Sequence, residues 1–230
     1  MHKLSILFLI ALTVVSGQED YEKPGVRFDL LVRDDFFAGM FGDQARLDRG
    51  MQFCEKVLAK HPQHAQALLW HGGGLITRAS LVYAKGDSAQ GDKLWQQGLK
   101  EMNDAVALEP ADMGLKIGRS ATLIGISQSG FDSSDPQGRA LLESAVHDYE
   151  LVLAWQQPSF KKLSVHSRGE LLFGLASGWS MLENEEKTRL YLERILKDCK
   201  GSDYEQEART FLNAKPLPQV DHQCHGCHVK

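Results

Sequence analysis

Between Asp34 and Leu212 the apolar residues recur at the three- and four-residue spacings of helices, and almost nowhere at the alternation of strands. A stretch of that length without strands must bury its apolar stripes by packing helix on helix. The sequence therefore predicts an all-α fold. Its 230 residues are enough for a self-sufficient core, and 43% apolar with 24% charged residues is the balance of a globular protein. A net charge of -4 and no cluster of Lys and Arg argue against a nucleic-acid partner.

The helices pair. The last pair has Leu172, Leu175, Ala176 and Trp179 on a first helix and Thr188, Leu192 and Ile195 on a second. The short polar turn Glu183-Asn184-Glu185-Glu186 joins them, as a helical hairpin needs. Ser167-Arg168-Gly169-Glu170 reads as a capping box at the start of the first. Upstream, Gly50, Cys54 and Val57 precede the helix-stopping Pro62, and Gly98, Met102 and Ala105 precede Ala107-Leu108-Glu109-Pro110. The latter helix follows one carrying Leu68, Gly72 and Leu75, through a link from Tyr83 to Gly91 that reads as an insertion. Leu115–Ile126 pairs with Leu141–Trp155 across a loop rich in Gly, Ser, Asp and Pro, and Tyr204–Leu212 reads as a closing helix. In this order of large, small and aromatic positions the chain resembles the tetratricopeptide repeat family. The resemblance implies a solenoid of about four hairpins over residues 34–212, with a protein partner held on its concave face.

Both ends of the chain carry separate messages. Residues 1–17 read as an export signal: a basic start at Lys3, an apolar run from Leu4 to Val15, and small residues at Ser16 and Gly17. The run is too short to span a bilayer, so the mature protein is expected in the periplasm or outside the cell. Residues 18–33 read as a lead-in. Residues 213–230 form a Pro-rich tail, extended because Pro216 and Pro218 cannot continue a helix.

That tail ends in Cys224-His225-Gly226-Cys227-His228, the C-x-x-C-H pattern of c-type haem attachment. Two thiols at this spacing reach the two vinyl groups of one porphyrin, and the next His offers the iron an imidazole nitrogen. Haem c is the expected cofactor, with Cys224 and Cys227 as thioether donors and His228 as proximal ligand. Only Val229 and Lys230 follow the motif, so any distal ligand has to come from upstream. His166, at the edge of the last hairpin, and His71, beside three glycines that admit a bulky neighbour, are the candidates. Arg119, on an otherwise apolar helix, is a candidate partner for a haem propionate. His61 and His64 flank a turn and read as solvated, and His222 lies too near the motif to cross to the other haem face. Cys54 and Cys199, in the first and last hairpins, read as buried structural thiols beyond disulfide reach.

The layout as a whole resembles a group of uncharacterised secreted bacterial repeat proteins, which implies no particular reaction. Nothing in the chain matches a nucleophile elbow, a phosphate loop or an H-E-x-x-H helix. The expectation is electron transfer or redox sensing with a protein partner. The alternative is a scaffold without haem, whose tail closes a Cys224–Cys227 disulfide or binds zinc.

Overall fold

The structure, a computed structural model, describes residues 20–23, 25–128 and 135–222. The described chain is all-α, with no strand among the described residues. The helices are α1 (Asp29–Met40), α2 (Gln44–Lys60), α3 (Ala65–Ala84), α4 (Ser88–Leu108), α5 (Met113–Gln128), α6 (Pro136–Gln156), α7 (Val165–Met181), α8 (Glu185–Asp198) and α9 (Asp203–Asn213). A 3-10 helix, Gln157–Lys162, follows α6 directly. Among the described residues no helix is long and apolar enough to cross a membrane.

Local chemistry sets the helix starts. Asp43, Asp87, Asp135, Ser164, Asn184 and Ser202 each turn a side-chain oxygen onto an orphan N–H of the first turn. Pro136 fits the first position of α6, where its missing N–H costs nothing. Consecutive helices pack as hairpins, α1 with α2, α3 with α4, α5 with α6 and α7 with α8, and α9 lies against α8. Alternate helices also touch, α1 with α3, α3 with α5 and α5 with α7.

Three sequence expectations are displaced. The first helix starts at Asp29, within the expected lead-in, because Phe28, Val32 and Phe36 repeat at four-residue spacing and are all buried with Leu47 and Met51. The link after α3 is only Lys85-Gly86-Asp87: both flanking helices are long, and Gly86 turns the chain at a φ of 85°. The Tyr83 ring covers Gly91, and its hydroxyl donates to Asp92 at 2.7 Å. The cap of α7 is Ser164, accepting from the Ser167 N–H at 3.0 Å, one turn before the expected box. Glu170 is thereby released for other partners.

The α3–α4 crossing explains part of the glycine run. A Cβ on Gly72 would lie 2.7 Å from the Gly98 carbonyl oxygen, and one on Gly98 would lie 2.7 Å from that of Gly72. Gly73 faces the other way, its nearest would-be contact being Thr122 Oγ1 at 3.7 Å. Alanine at either position gains about 0.8–1 kcal/mol of helix propensity. At Gly72 overpacking against backbone costs about 1–3 kcal/mol and wins. Gly72→Ala is therefore expected to lower the melting temperature and Gly73→Ala to raise it. Two shifts of the same sign would contradict this crossing.

Candidate functional site

The described part of the tail, residues 214–222, packs into the core. Leu217 packs against the main apolar cluster, and Val220 is fully buried within it. The Val220 N–H donates to Ser180 Oγ near the end of α7 at 3.0 Å. Two residues on, the His222 ring stacks on Phe173 with centroids 4.2 Å apart and planes 15° apart. The tail thus runs back along α7 from its C-terminal end toward its start. This accounts for the composition of α7, which is buried at Leu171, Leu172, Phe173, Leu175 and Ala176 and has no clean polar face.

His222 is held by charge as well as by stacking. Its Nδ1 lies 2.9 Å from both carboxylate oxygens of Glu207 on α9, and its Nε2 lies 3.3 Å from Glu170 Oε1 on α7. Ionised carboxylates only accept, so a ring bonded to one on each side carries hydrogen on both nitrogens and is an imidazolium. Burial opposes charging the ring, but the hydrogen bonds and attraction of Glu170 and Glu207 outweigh it and lift the pKa to about 9. Burial also works against the Glu170 carboxylate, yet its bonds to His222 and Tyr204 bring its pKa below the ordinary range. The Tyr204 hydroxyl donates to Glu170 Oε1 at 2.7 Å and lies 2.6 Å from His166 Nδ1. Gly169 makes room for this ring, since a Cβ there would meet Tyr204 at 2.5 Å. His166, Tyr204, Glu170, His222 and Glu207 form one hydrogen-bonded chain across α7, α9 and the tail.

A pH dependence follows from the raised value. An unfolded His titrates near 6.5, so the stabilisation from His222 is complete below that pH and is lost as pH rises through about 9. The side chain is 11% exposed, and the shift corresponds to about 3–4 kcal/mol at most. Glu170 acts in the opposite sense, losing its contribution as pH falls through its lowered value. Hydrogen exchange at the Val220 amide is expected to gain protection loss between pH 6.5 and 9 beyond the intrinsic rate increase, and His222→Gln should remove that excess. Equal excess in both proteins would contradict the ion-paired imidazolium.

The structure disposes of the other expected residues as follows. Cys224, Cys227 and His228 lie outside the described residues. His71 is 10% exposed, with Nδ1 2.5 Å from Glu101 and Nε2 3.7 Å from Glu55. Arg119 is 14% exposed and donates to Asp148 and Asn103. His166 is 42% exposed and belongs to the tail-anchoring chain, so the three are not brought together. His64 is not solvated as expected: its Nδ1 caps α3 at the Ala67 N–H, the ring packs on Phe28, and burial lowers its pKa. His61 is exposed, with Nε2 3.4 Å from Glu22. Cys54 and Cys199 are buried free thiols in separate apolar clusters, and burial pushes both thiol pKa values up, away from the reactive thiolate.

Sequence reasoning sets His222 aside as a ligand, gives Glu170 to a capping box and Tyr204 to the closing helix, and misses that these three with Phe173 and Glu207 hold the tail. The available signal was Leu217 and Val220, two apolar residues in an otherwise polar tail that had to be buried somewhere. Among the described residues no group of three or more His, Cys, Asp and Glu is arranged to hold a metal ion. Comparison with protein-family models, with characterised proteins and with solved structures found no match to this chain.

Proposed function

We propose that this is an exported, tetratricopeptide-like protein that carries one c-type haem on its C-terminal tail and serves electron transfer or redox sensing with a protein partner on its repeats. Cys224 and Cys227 would form the thioethers and His228 would be the proximal ligand. The observation that carries the reading is the anchoring of the tail: a buried Val220 and an ion-paired His222 fix the chain two residues before the first thiol of C-x-x-C-H. A cofactor attached there would be tethered to the helical body. The pairing of consecutive helices, together with the contacts between alternate ones, supports the repeat reading.

The donor chemistry fits haem c through the tail itself. Each thiol adds across a vinyl group, the sulfur bonding one carbon and the thiol hydrogen ending on the other, so attachment needs no oxidant. When bound, the group supplies a one-electron iron couple whose potential depends on axial ligation and burial. His71 and Arg119 are nearly buried among internal partners, whereas His166, though bonded to Tyr204, is 42% exposed and is the helix-borne candidate for the distal side. The chain's own part is to hold the attachment point, through Phe173, Glu170 and Glu207.

The test is a haem-stained denaturing gel of protein exported in a host with c-type maturation machinery, beside the Cys224→Ser/Cys227→Ser double variant. The wild type should stain and the variant should not. An unstained wild type would overturn the reading, and thiol counting with zinc analysis would then identify a disulfide or metal clip.

A further inference from the structure

A second feature of this molecule lies where α8 meets α6 and the 3-10 helix that follows α6. α6 is tied to α8 by Glu150, which accepts from Lys187 Nζ and from the Tyr191 hydroxyl at 3.2 Å each, and the 3-10 helix is tied to α8 by Arg194 Nη2 donating to Gln157 at 2.9 Å. Leu151 and Trp155, one turn apart on α6, are 40% and 64% exposed, and Leu190 on α8 is 56% exposed. Trp155 is the most exposed large apolar residue described. Beyond it the chain enters the 3-10 helix, which with α8 walls a surface recess of about 670 Å³. Its apolar lining is Pro158, Phe160 and Leu190. Arg194 sits over the Phe160 ring at 4.8 Å and is itself paired with Asp198 at 3.1 Å. Lys161, Lys162 and Lys197 also line the recess, all exposed, against the single exposed acid Glu193.

We infer that this face is a docking surface for an acidic, amphipathic segment of a partner protein. The segment would place an apolar side chain in the recess beside Phe160 and Leu190, cover Trp155, and bring carboxylates to Lys161, Lys162 and Lys197. The charge argument decides the partner's sign: the chain as a whole carries -4, yet at this recess positive groups outnumber the acids. The shape decides its class. A lipid surface is met by a protruding apolar ridge, whereas a recess whose lining begins two residues after an exposed Trp suits an inserted side chain. Neither point uses the haem, so the inference stands or falls apart from it. The placement also complements the tail, whose own residues cover part of α7.

The probe is a short acetylated peptide with Leu and Phe one helical turn apart and Glu or Asp elsewhere, beside the same peptide with Lys at every acidic position. Binding to the full-length exported protein is followed by two-dimensional nitrogen–proton NMR at the Trp155 indole and the Leu190 amide. The acidic peptide should shift both signals saturably, more weakly as salt rises, while the Lys peptide shifts neither. Trp155→Ala should weaken binding at least about tenfold, as truncation of an interface anchor does. Lys161→Glu/Lys162→Glu/Lys197→Glu should also weaken it and remove the salt dependence. All four positions are exposed, and unchanged melting curves would show that the variants fold. No saturable shift, or equal binding of the Lys peptide, would overturn the inference. So would binding of phosphatidylglycerol vesicles in place of the peptide, or concentration-dependent self-association abolished by Trp155→Ala, since each assigns the face to another occupant.

Discussion

Replacing Asp148 by alanine is expected to lower the stability of the folded chain by about 3–5 kcal/mol. The carboxylate is 4% exposed, and its Oδ2 accepts from Arg119 Nε at 2.8 Å and Nη2 at 2.6 Å. Arg119 Nη1 also donates to Asn103 at 2.9 Å, so one guanidinium joins α4, α5 and α6. Removing the acid leaves a nearly buried cation with a single neutral acceptor, and that desolvation sets the size of the effect. An Arg119→Leu/Asp148→Leu double variant removes both charges and should be far less damaged than Asp148→Ala. Urea denaturation reads both from the midpoint at constant slope. A single variant as stable as the wild type, or a double variant as unstable as the single, would show that the pair is not the tie described.

Phe173→Ala is expected to cost a similar amount, about 3–5 kcal/mol, through the cavity it leaves. The side chain is fully buried, 6.2 Å from the Tyr204 ring, 6.4 Å from Phe211 and 4.2 Å from His222. Its removal takes away the floor under the tail as well as the contact between α7 and α9. Global stability and tail protection should therefore fall together, with exchange at the Val220 amide accelerating by more than the loss of global stability alone would give. His222→Gln, by contrast, should speed Val220 exchange while leaving most of the core intact. If Phe173→Ala left Val220 exchange unchanged at matched stability, the ring would be a core residue with no part in holding the tail.

How much of this was legible beforehand depends on how local each cause is. The all-α class, the turn after Met181 and the break at Pro216 follow from periodicity and proline chemistry, which act within a few residues, and the structure agrees with them. The start of α7 was misplaced because Ser164 and Ser167 stand three residues apart and either can cap. Only the chain's path shows that Ser164 does so while Glu170 reaches the tail. The link after α3 reads as an insertion on the family's spacing, whereas the extra residues lengthen the two flanking helices, and Gly91 is helical and small for the sake of the Tyr83 ring. The role of His222 was out of reach for the same kind of reason. Its partners Glu207, Phe173 and Glu170 are 15, 49 and 52 residues away in sequence, and nothing beside His222 announces them. The C-x-x-C-H pattern needs no partner elsewhere in the chain to be seen, since it lies within five adjacent residues, and its haem reading is the proposal made above.

The most direct measurement is the intact mass of the exported protein after denaturation. Thioether formation is an addition, so the account predicts the mature polypeptide plus the full mass of one haem, with no loss, and the bare polypeptide mass in Cys224→Ser/Cys227→Ser. A wild type at the bare mass, or two hydrogens lighter from a Cys224–Cys227 disulfide, would contradict it.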